Sequence, residues 1–338
     1  MGRRLIYRVD GGSNLGIGHL KRAMVLELEL KGEVDFVYYL KDDQDGFEYL
    51  KGHYCNVIRI PGDLDRAEEA EYIRDEAQKG IKLVILDILD TDFMYMERIK
   101  QSGAKILTFE NKGDGACMAD VIVNSIIEGP LSRSYRIGNT LYLKGSDYKV
   151  LNQHFNHKYD SKNKNEVKLV VTFGGGDSLS SILKVLRAVK VLEHRINVFV
   201  IAGPVNRGFE KLKEEIKALS IQVDFRREVE NMAELLADAD IAITGGGGTL
   251  YEIAYMGVPG VVICQNDHQV RNAEFFEKQG AIISLGYAPH VTESMIRDVL
   301  ETLLLDKGKR SKMASMGKAL IDGKGITRVA GIIRGLLS

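Results

Sequence analysis

Short runs of β-branched and other apolar residues alternate with longer amphipathic stretches along most of the chain. In the first half, residues 5–10, 34–40, 57–60, 83–87, 105–109 and 121–124 read as strands, and 18–30, 65–79 and 93–102 as helices. Strands that are apolar on both faces, with helices between them, predict a mostly parallel sheet covered on both sides. The rhythm stops at 152–166 (NQHFNHKYDSKNKNE), which is polar and lacks an apolar period. It then restarts with strands at 167–173, 198–202, 221–225, 241–244 and 260–264. Helices are expected from Leu179, Phe209, Met232 and Gly248, and from the last of these strands through to Ser338. The pattern predicts two Rossmann-like domains, 1–151 and 166–338, joined by a linker at 152–165. It also predicts a ligand cleft between their strand C-terminal ends.

Length agrees with two cores, since 338 residues exceed what one ordinary domain holds. Apolar residues at 45% and charged residues at 28% are an ordinary globular balance. A formal net charge of −1 leaves no strong field to attract nucleic acid or an anionic membrane. An anionic ligand would therefore depend on backbone dipoles and a few local cations. Cys55, Cys117 and Cys264 are far apart and form no CxxC pair, so three reduced, buried thiols are expected, with no zinc site. The first ten residues run into a strand pattern without the apolar core of a signal peptide. No run of about 18 apolar residues occurs, so a cytoplasmic protein with no membrane insertion is expected.

Glycine-rich turns at strand ends carry the chemistry. Asp10-Gly11-Gly12-Ser13-Asn14-Leu15-Gly16-Ile17-Gly18-His19 ends the first strand and opens a helix. Its spacing is not that of the dinucleotide GxGxxG loop, and a histidine follows the last glycine. That histidine reads as a general base, the bland alternative being a solvent-facing first-turn residue. Thr172-Phe173-Gly174-Gly175-Gly176-Asp177-Ser178 repeats the strand, turn and helix design, with Asp177 or Ser178 as a cap. Thr244-Gly245-Gly246-Gly247-Gly248-Thr249 places four successive glycines between a strand and a helix. A purely structural turn seldom needs so many, and the stretch suits a backbone pressed against phosphate. Glu252, four residues beyond Gly248, suits the vicinal hydroxyls of a ribose; otherwise it only complements the helix dipole. Gln265-Asn266-Asp267-His268-Gln269-Val270-Arg271-Asn272 puts the amides of Gln269 and Asn272 on one helical face, with Asn266 or Asp267 as the cap. Leu89-Asp90-Thr91-Asp92 contains DxD spacing, which helix capping explains without a metal.

Gly247-Gly248-Thr249-Leu250-Tyr251-Glu252, Met256-Gly257-Val258-Pro259, Gln269 with Asn272, and Glu277-Lys278-Gln279-Gly280 together resemble the UDP-binding region of family 28 glycosyltransferases. Gly16-Ile17-Gly18-His19-Leu20-Lys21-Arg22 is similar to the GxGHxxR of the UDP-sugar hydrolases of pseudaminic acid synthesis and of the related spore-coat polysaccharide proteins. Phe173-Gly174-Gly175-Gly176-Asp177 matches their Phe-Gly-Gly-x-Asp, and residues 148–155 resemble their Tyr-x-x-Leu-Arg-x-x-Phe, with Asn152 in place of arginine. Leu86-Asp87-Ile88-Leu89-Asp90-Thr91 and Phe109-Glu110-Asn111 lean to the spore-coat branch; the hydrolases carry paired aspartates where Glu110-Asn111 stand.

The resemblance implies a GT-B fold and hydrolysis of a UDP-linked (di)acetamido sugar at its anomeric carbon, with neither metal nor cofactor. In that scheme His19 activates water, and Asp10 or Asp87 orients His19 or a sugar hydroxyl. Gly16, Gly18, Arg22, Gly175 and Gly176 line the ligand; Gly247, Gly248 and Thr249 meet the phosphates; Glu252 meets the ribose; Gln269 and Asn272 meet the sugar or diphosphate. The alternative is a family 28-like glycosyltransferase that passes the sugar to an acceptor. A catalytically idle nucleotide-sugar sensor is the third reading. The residues around Met1-Gly2-Arg3-Arg4 show no amphipathic docking helix, which favours hydrolysis.

Overall fold

The computed structural model describes residues 3–12, 15–41, 43–53, 55–126, 133–157, 159, 166–174, 179–206, 208–229 and 231–338. Two compact units form, Met1–Asn152 with Gly323–Ser338, and Gln153–Asp322.

The strands of the first unit are β1 (Arg3–Val9), β2 (Val34–Lys41), β3 (Val57–Ile60), β4 (Leu83–Asp87), β5 (Lys105–Phe109), β6 (Val121–Asn124), β7 (Arg133–Ile137) and β8 (Thr140–Lys144). They make one sheet in the order β3-β2-β1-β4-β5-β6-β8-β7, parallel except for β7 against β8. The second unit contains β9 (Val167–Thr172), β10 (Ile196–Ile201), β11 (Val223–Arg226), β12 (Ile241–Thr244), β13 (Gly260–Cys264) and β14 (Ile282–Tyr287). Its sheet runs β11-β10-β9-β12-β13-β14, parallel throughout. Both sheets therefore use the doubly wound order, which reverses between the first and fourth strands. Loops leaving those two strands open the crevice where such sheets bind ligands. The alternation predicted the parallel, doubly covered sheets, though not their strand order, because β4, β12 and β13 are almost wholly apolar and buried, as strands covered by helices must be.

Four elements escaped the sequence pattern. The Gln44–Gly52 helix is short and holds Gly46, whose missing side chain lets it pack on the Gly11 carbonyl. The β7–β8 hairpin turns at Gly138 with φ 57°, and its Tyr135 and Tyr142 rings stack 5.1 Å apart across the strands. β14, expected to be helical, is a half-buried strand interrupted by Gly286 at φ 85°.

The last helix, Gly325–Leu337, departs from the predicted domain limits by belonging to the first unit. It buries Ile326, Val329, Ile333 and Leu337 and packs on the Gly18–Glu29 helix. Arg334 forks onto Glu33 through two bonds of 2.8 Å, and Arg328 donates to the Asp147 carbonyl at 2.9 Å. Periodicity identifies such a helix but not the surface it covers. Among the described residues no helix is long and apolar enough to cross a membrane. Cys117 is exposed, against the expectation of three buried thiols, because it lies on a short 3-10 turn outside the core; Cys55 and Cys264 are buried.

Gly325→Ala tests the seating of that helix. Alanine normally stabilises a helix by about 1 kcal/mol over glycine. Here its Cβ would sit 2.0 Å from the Lys149 carbonyl oxygen. A net loss of about 1–3 kcal/mol is expected from overpacking, read from the denaturant midpoint. A gain in stability would show that the helix does not rest on Lys149.

Candidate functional site

In the first unit the crevice between β1 and β4 holds a charged cluster. The chain leaves β1 at Asp10 and turns through Gly12 and Gly16, whose backbones bond at 3.0 Å, with Gly16 at φ 77°. Only glycine adopts that conformation cheaply. The Gly18–Glu29 helix then begins, placing His19 in its first turn beside the end of β4. Asp87 is the last residue of β4 and is fully buried. An unpaired carboxylate there would cost several kcal/mol. Its Oδ1 instead takes His19 Nδ1 at 2.5 Å and Arg22 Nη2 at 2.6 Å, and its Oδ2 takes Arg22 Nε at 2.8 Å and the Tyr7 hydroxyl at 2.9 Å. Burial by itself would raise the Asp87 carboxyl; Arg22 and then His19 outweigh it and hold it down at about 2. Tyr7 moves the other way, its hydroxyl pushed well up by burial and by Asp87, so it stays a donor.

Asp87, rather than Asp10, therefore orients His19. Arg22 offers only donors, so its Nη2 at 3.1 Å from His19 Nδ1 is a close approach, and the ring hydrogen belongs on Nδ1 facing Asp87. Nε2 is left as the acceptor, which is the arrangement of a general base. Asp10 is paired with buried Arg8 at 2.5 Å. Arg8 is anchored in turn by Glu69 at 2.8 Å, and Glu69 accepts from Tyr95 at 2.9 Å and sits 3.1 Å from Lys41. Asp10 still lines a cavity of about 230 Å³ with His19, Asp87, Asp90, Arg66 and the apolar Leu15 and Leu89. Asp92 caps the helix after β4 by accepting from Tyr95 N at 2.8 Å.

Arg22 was expected to face the ligand. It is instead spent internally, gripping Asp87, lying 3.1 Å from Glu110 and covering the Phe109 ring at 4.6 Å. Glu110 also accepts from Ser125 at 2.6 Å. Burial raises its carboxyl, but Arg22, Lys149 and His19 together hold it well below the usual range. Its φ of 48° lies in the left-handed region, which costs a non-glycine residue about 1–2 kcal/mol. Sequence reasoning passed over Tyr7, Arg66 and the pairing of Glu110 with Arg22, because nothing in the local pattern relates positions so far apart.

The second unit presents the glycine loop between β12 and the Gly248–Met256 helix. A Cβ on Gly245 would lie 2.9 Å from Gln269 Oε1, and one on Gly246 2.4 Å from the Gln269 carbonyl. Internal packing therefore accounts for these two glycines. Gly247 and Gly248 differ: the nearest atom to a Cβ on Gly247 is Gln269 Nε2 at 3.7 Å, and Gly248 has nothing within 4 Å. Packing does not exclude a side chain at either position. Gln269 Oε1 accepts from Gly246 N at 3.1 Å and Gln265 N at 2.9 Å, while Asn266 caps its helix by accepting from Gln269 N at 3.0 Å. Asn272 is buried, donates to the Gly246 carbonyl at 2.6 Å and accepts from Tyr251 at 2.7 Å. Asn272 thus shapes the loop instead of facing solvent, its single amide being satisfied on both ends. Thr249 and Glu252 follow on the helix, both half-buried. Gly175, Gly176, Asp177 and Ser178 lie outside the described residues. Among the described residues no three His, Cys, Asp or Glu side chains converge to hold a metal ion.

Comparison with known proteins gives the family and the fold. Residues 149–326 match the glycosyltransferase family 28 C-terminal domain. The chain is 31% identical to the spore coat polysaccharide biosynthesis protein SpsG of Bacillus subtilis (strain 168), covering 97% of this chain and 96% of that protein. It is 32% identical over 177 residues to the UDP-N-acetylglucosamine–N-acetylmuramyl-(pentapeptide) pyrophosphoryl-undecaprenol N-acetylglucosamine transferase of Carboxydothermus hydrogenoformans, covering 50% of this chain and 47% of that one. The crystal structure of Acinetobacter baumannii MurG superposes with a TM-score of 0.70 at 15% identity, over 98% of this chain and 99% of that one. The shared architecture is the GT-B fold.

Asp87 links stability to pH. Its folded value of about 2 lies below the ~3.9 of an unfolded aspartate, so the carboxylate contributes stability that is present above pH ~4. About 2–3 kcal/mol is lost as pH falls from ~4 through ~2. Urea unfolding across that range should show the loss in the wild type and a flatter dependence in Asp87→Asn. Parallel curves would uncouple Asp87 from folding.

Proposed function

The chain belongs to the glycosyltransferase family 28 group, and from that premise we propose that it transfers an acetamido sugar from UDP to an acceptor hydroxyl in polysaccharide synthesis. The observation that carries this reading is the pair Gly247 and Gly248, bare at a helix N-terminus where the protein itself leaves room for side chains. Backbone N–H groups of Gly247, Gly248 and Thr249, with the helix dipole behind them, suit a diphosphate. Gln269 holds the loop through Oε1 and has Nε2 beside Gly247, where it can donate to the same group. Glu252 is assigned to the ribose.

His19 is the base. Nε2 takes the proton of the attacking hydroxyl, the new bond forms at the anomeric carbon, and the bond from that carbon to the phosphate oxygen breaks. Asp87 steadies the imidazolium that results, and the glycine-loop donors take up the charge arriving on UDP. Hydrolysis, implied by the N-terminal GxGHxxR motif, is the second reading. It uses the same base on a water, and the small, acid-lined cavity beside His19 has room for one. Family 28 membership and the transferase relative support transfer more strongly.

UDP release from a panel of UDP-acetamido sugars separates the two. Release that requires a glycan or lipid-linked acceptor supports transfer; full turnover in water alone supports hydrolysis; no UDP binding sinks both. His19→Ala should abolish turnover and keep UDP affinity. Glu252→Ala should weaken UDP binding by about 1.5–3 kcal/mol, the worth of a charge-assisted hydrogen bond, by titration calorimetry.

A further inference from the structure

Among the described residues Glu110 and Ser220 are the non-glycine positions with positive φ, at 48° and 52°. Ser220 ends the Phe209–Leu219 helix, where a left-handed residue is the ordinary way out. Glu110 ends no helix. It follows β5, and its turn is held without its side chain: Glu110 N donates to the Val123 carbonyl at 2.8 Å, Lys112 N to the Leu89 carbonyl at 2.9 Å, and Asn111 Nδ2 to Thr91 Oγ1 at 2.6 Å. Glycine or asparagine would meet the conformational demand more cheaply. What the position gains from glutamate is its carboxylate.

That carboxylate points inward. Oε1 accepts from Ser125 Oγ at 2.6 Å and lies 3.1 Å from Arg22 Nη1. The same guanidinium meets Asp87 through Nε and Nη2, and Asp87 Oδ1 meets His19 Nδ1 at 2.5 Å. A guanidinium is a planar fork, so the direction of one edge sets the other. Asp87 Oδ1 receives both Arg22 and His19, so any turn of that fork changes what remains for the histidine.

We propose that Glu110 is a positioning residue for the base, holding His19 in the Nδ1–H tautomer through Arg22 and Asp87. The inference rests on reading His19 as the base. Without the Glu110 charge, Arg22 is free to turn further onto Asp87 Oδ1 and displace the ring hydrogen. Part of the population then carries its proton on Nε2, which cannot accept one from a nucleophile.

The full-length protein labelled with 15N-histidine, studied by NMR in alkaline buffer, reports the His19 tautomer directly, with His19→Gln identifying the signal. The wild type should show Nδ1–H. Glu110→Gln should show a mixture, with kcat down by about ten- to a hundred-fold and KM for the UDP-sugar unchanged. Glu110→Asp, which keeps the charge one methylene shorter, should recover part of kcat. A wild-type ring spectrum with kcat within about two-fold in Glu110→Gln overturns the proposal. If that variant does not fold, Glu110→Asp decides by the same spectrum, an unchanged ring overturning it. Failure to turn over any UDP-sugar sinks the functional reading alone, because the ring spectrum still reports on Glu110.

Discussion

A buried carboxylate at the end of β4 sets the terms for the whole first crevice. Asp87 is cut off from water, so each of its lone pairs must be met by a donor inside the protein. Tyr7 comes from β1, and His19 and Arg22 come one turn apart from the helix after it. Arg22 then brings a second buried charge, which Glu110 from the end of β5 answers. Three adjacent strand ends and one helix are thereby locked into a single electrostatic arrangement. The sheet order makes it possible, because β1 lies beside β4 and β4 beside β5.

The second unit repeats the strand order but solves a different problem. Its loop after β12 carries no charge and is shaped by amides, with Gln269 and Asn272 bonded to Gly246 from either side. Gln269 lies against Gly245 and Gly246 where a side chain would begin; at Gly247 and Gly248 the surrounding protein leaves room for one. An anion fits that combination of a rigid brace and a bare helix start. The two crevices thus differ in kind, one holding a histidine in a fixed orientation and the other presenting backbone N–H groups at a helix start.

Much of this was legible in the chain itself. Apolar runs located most of the buried strands of both sheets, and 3.6-residue periods located helices between them, because strands covered on two faces must be apolar wherever they pair. The glycine turns and His19 were visible because strand, glycine and helix follow one another within a dozen residues. The partner of His19 was narrowed only to Asp10 or Asp87. Both end strands, and which carboxylate is captured by Arg8 and which by Arg22 depends on how β1 and β4 sit side by side. Arg22 and Asn272 read as ligand contacts, since a polar side chain beside a site looks the same in sequence whether it faces inward or out.

Local order alone pointed to two Rossmann-like α/β units, and to strand ends that carry glycine turns and a first-turn histidine; the GT-B kind was implied by the resemblance of the motifs, and the strand order within each sheet came from the structure. Hydrophobic period and backbone freedom are properties of neighbouring residues, so a linear reading can recover them. Tertiary structure decided the rest: the return of the Gly325–Leu337 helix to the first unit, the capture of Asp87 by Tyr7, His19 and Arg22, and the left-handed seat of Glu110 opposite Arg22. Each depends on charges or surfaces separated by many residues, whose energies exist only once burial has removed the water that would otherwise satisfy them.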